Sequence, residues 1–321
     1  MNKTFSILIP TFNRAEKLLR LLKIIEIETS ILNVKTQIDV IVSDNASKDN
    51  TAKIMDEFTT THFNFFYFRQ TQNLGFDANI KFLYEKSRTD FVWYIADDDI
   101  PLPGSLLKVI ETITEKDPDV LLFSFIQPPG STFRQFDFLE KTHLVTDPPF
   151  AIEQVLKYTK LSIFVIRKIR FTNEQWRILD RNLGSGWYYI SLAFSIMESS
   201  KNLRLAIISE PLAACDEDYA FISYTPYPLL NMEIMVRHPF VLKYKPTLPK
   251  FYGIMGYCEA IQFAFAAKVG SLSHINIQEY DEFIKELNFN YSILLKRPRK
   301  LLQFLVLKSN FTFLWKMIRS R

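Results

Sequence analysis

Residues 91–101 read FVWYIADDDIP: a run of apolar and aromatic side chains ends abruptly in Asp97, Asp98 and Asp99. Phe, Val, Trp, Tyr and Ile in unbroken succession suit a strand buried on both faces, the usual state of a parallel strand flanked by helices. The same unit recurs upstream and once downstream, at residues 5–9, 38–43, 63–68 and 120–125. Helix-like stretches separate these runs, at residues 14–28, 50–58, 77–87 and 104–115. In the first of them Leu18, Leu21, Leu22 and Ile25 repeat every three or four residues and mark one apolar face. Ser47 or Asp49 is placed to cap the second. Strand–helix alternation of this kind predicts an α/β fold, a mostly parallel central sheet with helices on both faces.

Beyond residue 125 the rhythm changes. Pro128-Pro129-Gly130 is a turn signal, and residues 134–145 suit a hairpin. Residues 161–167 and 205–209 read as further strands, and 187–199 as a helix apolar nearly all round. Residues 224–249, rich in Pro and Tyr, read as irregular, and 252–269 and 278–295 as helical. The expected organisation is a first half (1–125), a second half of the same domain (126–220) and a mostly helical C-terminal extension (221–321).

Ligands of open parallel sheets bind beyond the carboxyl ends of the strands. There the chain carries Pro10-Thr11-Phe12-Asn13-Arg14, Asp44-Asn45-Ala46-Ser47-Lys48-Asp49, Gln70-Thr71-Gln72-Asn73-Leu74-Gly75 and the Asp triplet. All four clusters fall on one sheet edge. Three adjacent carboxylates repel one another and call for a cation, and a hard divalent ion accepts carboxylate and diphosphate oxygens alike. A solvated loop that caps the next helix is the plainer reading of the triplet. Asp44 read alone is a turn residue as readily as a ligand for a base or ribose, and Asn73-Leu74-Gly75 is turn-like.

In this order and spacing, SILIPTFNR, VIVSDNASKDNT, QNLGFDANI and YIADDDIP resemble the donor-binding half of a family 2 glycosyltransferase of the GT-A (Rossmann-like) fold. The triplet form of the last motif resembles the branch that includes abequosyltransferase-like enzymes of O-antigen assembly. The resemblance implies that Thr11 and Phe12 line the nucleotide pocket, with Asn13 and Arg14 beside it, that Asp44 binds the base and that Asn73 borders the same pocket. It matches Asp97 and Asp99 to the acids of the DXD motif, with Asp99 on the metal and Asp97 at the ribose or a metal-bound water. Asp98 is the middle residue. The implied cofactor is Mn²⁺ or Mg²⁺. The implied chemistry is inverting transfer from a nucleotide-diphosphate sugar to a saccharide hydroxyl, on a lipid-linked acceptor in O-antigen or capsule-type synthesis.

Many relatives of that kind carry a Glu-Asp pair at the start of an acceptor-side helix, whose Asp is the base. The matching stretch here, Gly184-Ser185-Gly186-Trp187-Tyr188-Tyr189, has no acid. Asp180 in a predicted loop, and Asp216, Glu217 and Asp218 after a strand, are the acids left. Each also reads as a surface carboxylate, and Asp180 is the one carried forward. The missing pair equally fits a nucleotide-sugar-binding or scaffold protein that has lost its base. A sugar-1-phosphate nucleotidyltransferase is disfavoured by the absence of a Gly-rich loop after the first strand. His62, His143, His238 and His274 stand at no metal-ligand spacing, and no nucleophile elbow, Walker A or G-x-G-x-x-G sequence occurs.

The 321 residues carry a net charge of +4. The last 32, from Asn290, hold eight cations and no acid, which leaves −4 for the rest. A nucleic-acid partner is therefore not expected. Residues 296–321 interleave Lys and Arg with Leu, Phe and Trp, a composition suited to an anionic membrane surface, although a helix packed on the body reads the same way. Two cysteines, Cys215 and Cys258, suit a reducing compartment. The N-terminal apolar run is too short for a secretory signal, and no stretch is long enough to span a bilayer. A cytoplasmic protein, peripheral at the inner membrane face, is expected.

Overall fold

Strand β1 (Phe5–Thr11) is buried along its whole length, as its apolar run requires. It lies between two parallel neighbours, β2 (Ile38–Asp44) and β4 (Phe91–Tyr94). Strand β3 (Asn64–Arg69) adds to β2, also in parallel, at the edge. The computed structural model describes residues 3–32, 38–126, 142–157, 159–215, 231–268 and 290–308. Among them one sheet runs in the order β3-β2-β1-β4-β8-β6-β9-β5, with β7 (Thr142–Val145) paired to β9.

Helices α1 (Ala15–Ser30), α2 (Thr51–Glu57), α3 (Phe76–Lys86) and α4 (Ser105–Lys116) join the first strands. Leu18, Leu21, Leu22 and Ile25 of α1 are buried, as their spacing predicts. The parallel direction then breaks. Strand β8 (Phe164–Arg167) inserts antiparallel between β4 and β6 (Val120–Ile126). Strand β9 (Leu205–Cys215) runs parallel to β6, with register shifts on either side of Ser124. Beyond the irregularity its end pairs antiparallel with β5 (Asp99–Pro101). The core is correspondingly aromatic; Trp93 meets Phe123 edge-on at 5.4 Å, both fully buried. The architecture is the mostly parallel α/β sheet expected.

Several local expectations are corrected. Asp99 does not end a loop but opens β5. Residues 161–163 form a 3-10 turn ahead of β8, and β9 is longer than residues 205–209. Helices α5 (Pro148–Lys157) and α6 (Asn173–Asp180) have no counterpart in the sequence reading. Asp180 is the last residue of α6 rather than a loop residue. The buried helix expected at 187–199 is α7 (Tyr188–Ser199). The Pro128-Pro129-Gly130 turn, most of the 134–145 hairpin, Asp216, Glu217, Asp218 and residues 309–321 of the tail lie outside the described residues.

The chain divides into two units, Met1–Gly184 with Tyr188–Tyr219, and Ser185–Trp187 with Ala220–Arg321. Within the second, the described part of the stretch read as irregular contains short helices α8 (Met232–Met235) and α9 (Pro239–Tyr244). Helix α10 (Leu248–Lys268) packs against α8 and α12 (Pro298–Lys308), with α11 (Tyr291–Leu294) preceding α12. No helix among the described residues is long and apolar enough to cross a membrane. Cys215 and Cys258 are free and buried.

Candidate active site

The C-terminal ends of β1, β2 and β4 meet at one sheet edge, and the hydrogen bonds there knit the predicted clusters together. Thr11 pairs in register with Asp44, and the Asn45 N–H donates to the Thr11 carbonyl at 2.9 Å. The Thr11 hydroxyl donates to Asp97 Oδ2 at 2.7 Å, linking the end of β1 to the triplet. Asn45 Nδ2 donates to Asn73 Oδ1 at 2.8 Å, and the Leu74 N–H donates back to Asn45 Oδ1 at 2.8 Å. Thr11, Asp44, Asn73 and Asp97 thus share one hydrogen-bonded edge.

The loops at that edge are held in demanding backbone conformations. Asn13 and Ala46 adopt positive φ, 54° and 64°. A β-carbon disfavours that region by about 1–2 kcal/mol. Asn13 recovers part of this through its own bonds. Its N–H donates to Ser47 Oγ and its Oδ1 accepts from the Lys48 N–H, each at 2.8 Å. Asp49 Oδ1 accepts from the Thr51 N–H at 3.1 Å at the start of α2, while its Oδ2 accepts from the Ala15 N–H at 3.1 Å. Phe12, 39% exposed, is left at the surface of this rim.

Asp44 is fully buried. Its Oδ1 accepts from the Ser47 N–H and its Oδ2 from the Tyr67 hydroxyl, both at 2.8 Å, and Arg69 Nε stands 3.8 Å from Oδ2. Burial, then the Asp44 bond and charge, raise the Tyr67 pKa, so Tyr67 remains a donor. Tyr67 and Arg69 were not singled out by the sequence. Their signal was their position on β3, opposite the end of β2.

The three triplet carboxylates have three different settings. Asp97 gives Oδ2 to Thr11 and Oδ1 to Arg14 Nη1 at 2.8 Å. The same Arg14 nitrogen stands 2.7 Å from Asp98 Oδ2. Asp99 Oδ2 accepts from the Ser162 hydroxyl at 2.5 Å, and Lys160 Nζ lies 3.1 Å from Oδ1. That ammonium is close enough to pair but not aligned as a hydrogen-bond donor. Only Asp98 is partly open, its side chain 28% exposed against 6% for Asp97 and none for Asp99. Desolvation pushes the Asp97 and Asp99 carboxyls up to about 6, against the opposing pull of Arg14 and Lys160.

Ser162 and Lys160, also unforeseen, arrive on the turn that leads into β8. Besides Asp99, Ser162 receives the Ala96 N–H on its hydroxyl at 3.0 Å and the Trp93 indole N–H on its carbonyl at 2.8 Å. One buried serine therefore fixes both the end of β4 and the third carboxylate.

Three carboxylates face two protein cations, so the cluster keeps one net negative charge. One of its buried oxygens, Asp99 Oδ1, has no aligned donor. Those two features fit a cation. Among the described residues, no group of three or more His, Cys, Asp or Glu is arranged to hold one unaided.

Asp180 stands apart from the triplet's network. It pairs with Lys81 Nζ at 2.7 Å, and that ammonium also lies 5.2 Å from the Trp176 ring centre. Asp77, missed by the sequence reading, is buried and accepts the Tyr188 N–H at 3.2 Å, at the start of α7. Burial first, and then the charges of Asp180, Glu85 and Asp77, raise the pKa of the Tyr188 hydroxyl. Asp77 thus sits at the head of α7, and the charge of Asp180 reaches the Tyr188 hydroxyl.

Comparison with known proteins identifies the fold and the family. The abequosyltransferase RfbV of Salmonella typhimurium is 26% identical over 231 residues, 66% of each chain. The alignment therefore spans slightly less than two thirds of that relative. The crystal structure of Staphylococcus aureus TarS in complex with UDP-GlcNAc superposes with a TM-score of 0.57 at 14% identity, covering 87% of this chain and 88% of that one. The mannosyltransferase PcManGT of Pyrobaculum calidifontis, in complex with GDP-Man and Mn²⁺, superposes with a TM-score of 0.50 at 14% identity, covering 96% and 86%. At these identities the structures show a shared GT-A fold. The model of "Glycosyl transferase family 2" matches residues 6–177, more than half of the chain and every part of the edge described above, and the chain belongs to that family.

Proposed function

We propose that this protein transfers a glycosyl group from a nucleotide-diphosphate sugar to a hydroxyl of a saccharide acceptor, with inversion. The observation that carries this reading is the single edge where Thr11, Arg14, Asp44, Asn73 and the Asp triplet are joined by hydrogen bonds and ion pairs. Structural neighbours with bound UDP-GlcNAc and GDP-Man, and a relative named as an abequosyltransferase, support a nucleotide-sugar donor and surface-polysaccharide synthesis.

Asp44, fully buried and held by Ser47 and Tyr67, fixes the wall of the base pocket from beneath, with Phe12 and Asn73 bordering it. Arg14, bridging Asp97 and Asp98, holds a positive charge where the diphosphate would lie. The donor site is thus pre-ordered, so little reorganisation is needed when charge builds on the leaving diphosphate. When bound, Mn²⁺ or Mg²⁺ supplies charge neutralisation for that diphosphate. The motif matches Asp99 and Asp97 to the metal; we place Asp98, the carboxylate with the most open side chain, in the leading role with those two behind it.

Asp180 is the base we propose for the acceptor proton, with Asp77 as the acid beside the same helix start. A non-catalytic sugar-binding relative is the competing reading, favoured by the acid-free stretch from Gly184 to Tyr189. The acceptor we propose is lipid-linked, met at an anionic inner membrane face. The exposed residues Leu295, Lys296, Arg299, Leu302 and Leu305 near α12 support that contact.

Calorimetric titration of UDP, dTDP, CDP and GDP, each with and without Mn²⁺, tests the donor site. One nucleotide is expected to bind, and more tightly with the metal. Transfer or hydrolysis of the matching nucleotide sugar then separates enzyme from scaffold, and no binding of any nucleotide overturns the proposal.

A further inference from the structure

Lys160 is a charged side chain at the heart of the edge for which the glycosyl-transfer chemistry above has no use. It precedes the turn Leu161–Ile163, and its ammonium stands 3.1 Å from Asp99 Oδ1 and 4.8 Å from the centre of the Phe125 ring. Asp99 has no exposed side-chain surface, and its other oxygen is taken by Ser162 at 2.5 Å. A carboxylate removed from water needs a counter-charge nearby, and in a low-dielectric setting that pairing is strong.

A divalent ion at the triplet seeks the same oxygen that Lys160 pairs with at 3.1 Å. Asp97 is a weaker substitute, because Thr11 and Arg14 already engage both of its oxygens. We propose that Lys160 is a resident counter-cation that competes with the divalent ion for Asp99, so that the site's ion affinity is set by Lys160 and Asp98 rather than by three available carboxylates. The ion then binds weakly alone and gains its remaining ligands from the donor's diphosphate. Lys160 is in this sense a positioning residue, and the inference rests on the proposed metal role of the triplet.

The test titrates Mn²⁺ alone into the full chain, read by calorimetry and by the paramagnetic resonance of free Mn²⁺. Lys160→Met frees Asp99 beside Asp98, and Mn²⁺ affinity is expected to rise about tenfold or more. Lys160→Arg keeps a cation there and should stay within about threefold of the parent. In Lys160→Met/Asp99→Asn the added affinity should vanish. A Lys160→Met protein that binds Mn²⁺ no more tightly than the parent, or that like the parent binds none, overturns the proposal.

Lys160→Met buries an uncompensated carboxylate and can fail to fold, so Asp99→Asn with Lys160 intact provides a second arm. If Lys160 already holds Asp99, this change costs Mn²⁺ affinity no more than about twofold. Loss of binding in that variant would make Asp99 a primary ligand and sink the idea. Nucleotide titration of the same proteins distinguishes the two readings. Gain of Mn²⁺ affinity in Lys160→Met without any nucleotide binding removes the donor site and leaves the competition standing.

Discussion

Asp97, Asp98 and Asp99 are neighbours in sequence but not in environment, and their substitutions should differ accordingly. Asp98→Asn removes the open carboxylate, and we expect metal-enhanced nucleotide binding to fall at least tenfold by calorimetry, with the melting temperature little changed. Tyr67→Phe deletes the donor to Asp44 Oδ2 inside a buried pair. That should cost about 1–2 kcal/mol of stability and loosen nucleotide binding several-fold, because the pocket wall that Asp44 fixes is no longer held. Asp180→Asn should lower kcat by about 10²–10⁴ with nucleotide affinity intact, the signature of a lost base. If turnover survives in Asp180→Asn and is lost in Asp77→Asn, the proton goes to Asp77 instead. The motif residues of this edge were legible because they sit directly after predicted strands. Lys160 and Ser162 were not, since they reach Asp99 from more than 60 residues downstream, just ahead of an antiparallel strand whose place in the sheet no local pattern encodes.

At the scale of elements, helices α1–α4 and strands β1–β4 and β6 were readable to within a few residues from their apolar runs; burial on both faces accounts for these runs in all but the edge strand β3, none of whose residues is fully buried. Helix α5 was hidden by Pro148 and Pro149, which read as a break although proline suits a first helical turn. Helix α6 carries a usable signal at its start. Thr172 and Gln175 form a capping box, with the Thr172 hydroxyl accepting the Gln175 N–H at 3.3 Å and Gln175 Oε1 accepting the Thr172 N–H at 2.8 Å. Caps also supply a stability test. Glu28 near the end of α1 is buried and receives the Gly104 N–H at 3.0 Å and the Leu106 N–H at 3.4 Å, at the start of α4. Glu28→Ala strands those donors and should cost about 1–3 kcal/mol in chemical denaturation.

His238 gives a pH dependence of defined sign in the second unit. Its imidazole is 2% exposed and accepts the Phe240 N–H at the head of α9, and burial lowers its pKa to about 4. The folded state therefore resists a proton that the unfolded chain takes up near pH 6.5. The contribution is fully present above about pH 6.5 and is lost as pH falls toward 4, by up to about 3 kcal/mol. His238→Asn keeps a capping acceptor without titrating. Its denaturation midpoint should depend less on pH across that window than the parent's, and an unchanged slope would place the acid sensitivity elsewhere.

On the scale of the whole molecule, charge is segregated along the chain. Leu295, Leu302 and Leu305 are 66%, 49% and 51% exposed, and the cations Lys296 and Arg299 in the same segment are exposed with them. Each cation near an anionic surface contributes about 1 kcal/mol. Reversal of both to Glu should therefore weaken cosedimentation with phosphatidylserine vesicles at least tenfold and leave nucleotide binding unchanged. Equal sedimentation would leave the basic segment without a lipid role.

The antiparallel insertion of β8 also governs how the protein is made. Strands β4 and β6 do not touch each other in the sheet order; β8 bridges them. While the ribosome has released only the first 126 residues, both strands have an unsatisfied edge, and Asp99 lacks its counter-charge. Such edges invite pairing with other nascent chains. The gap between β4 and β6 can close only once residue 167 has emerged, and the far edge of β6 only once β9 has, so slowing translation between β6 and β8 should lengthen the chain's dependence on chaperones more than an equal pause after residue 215.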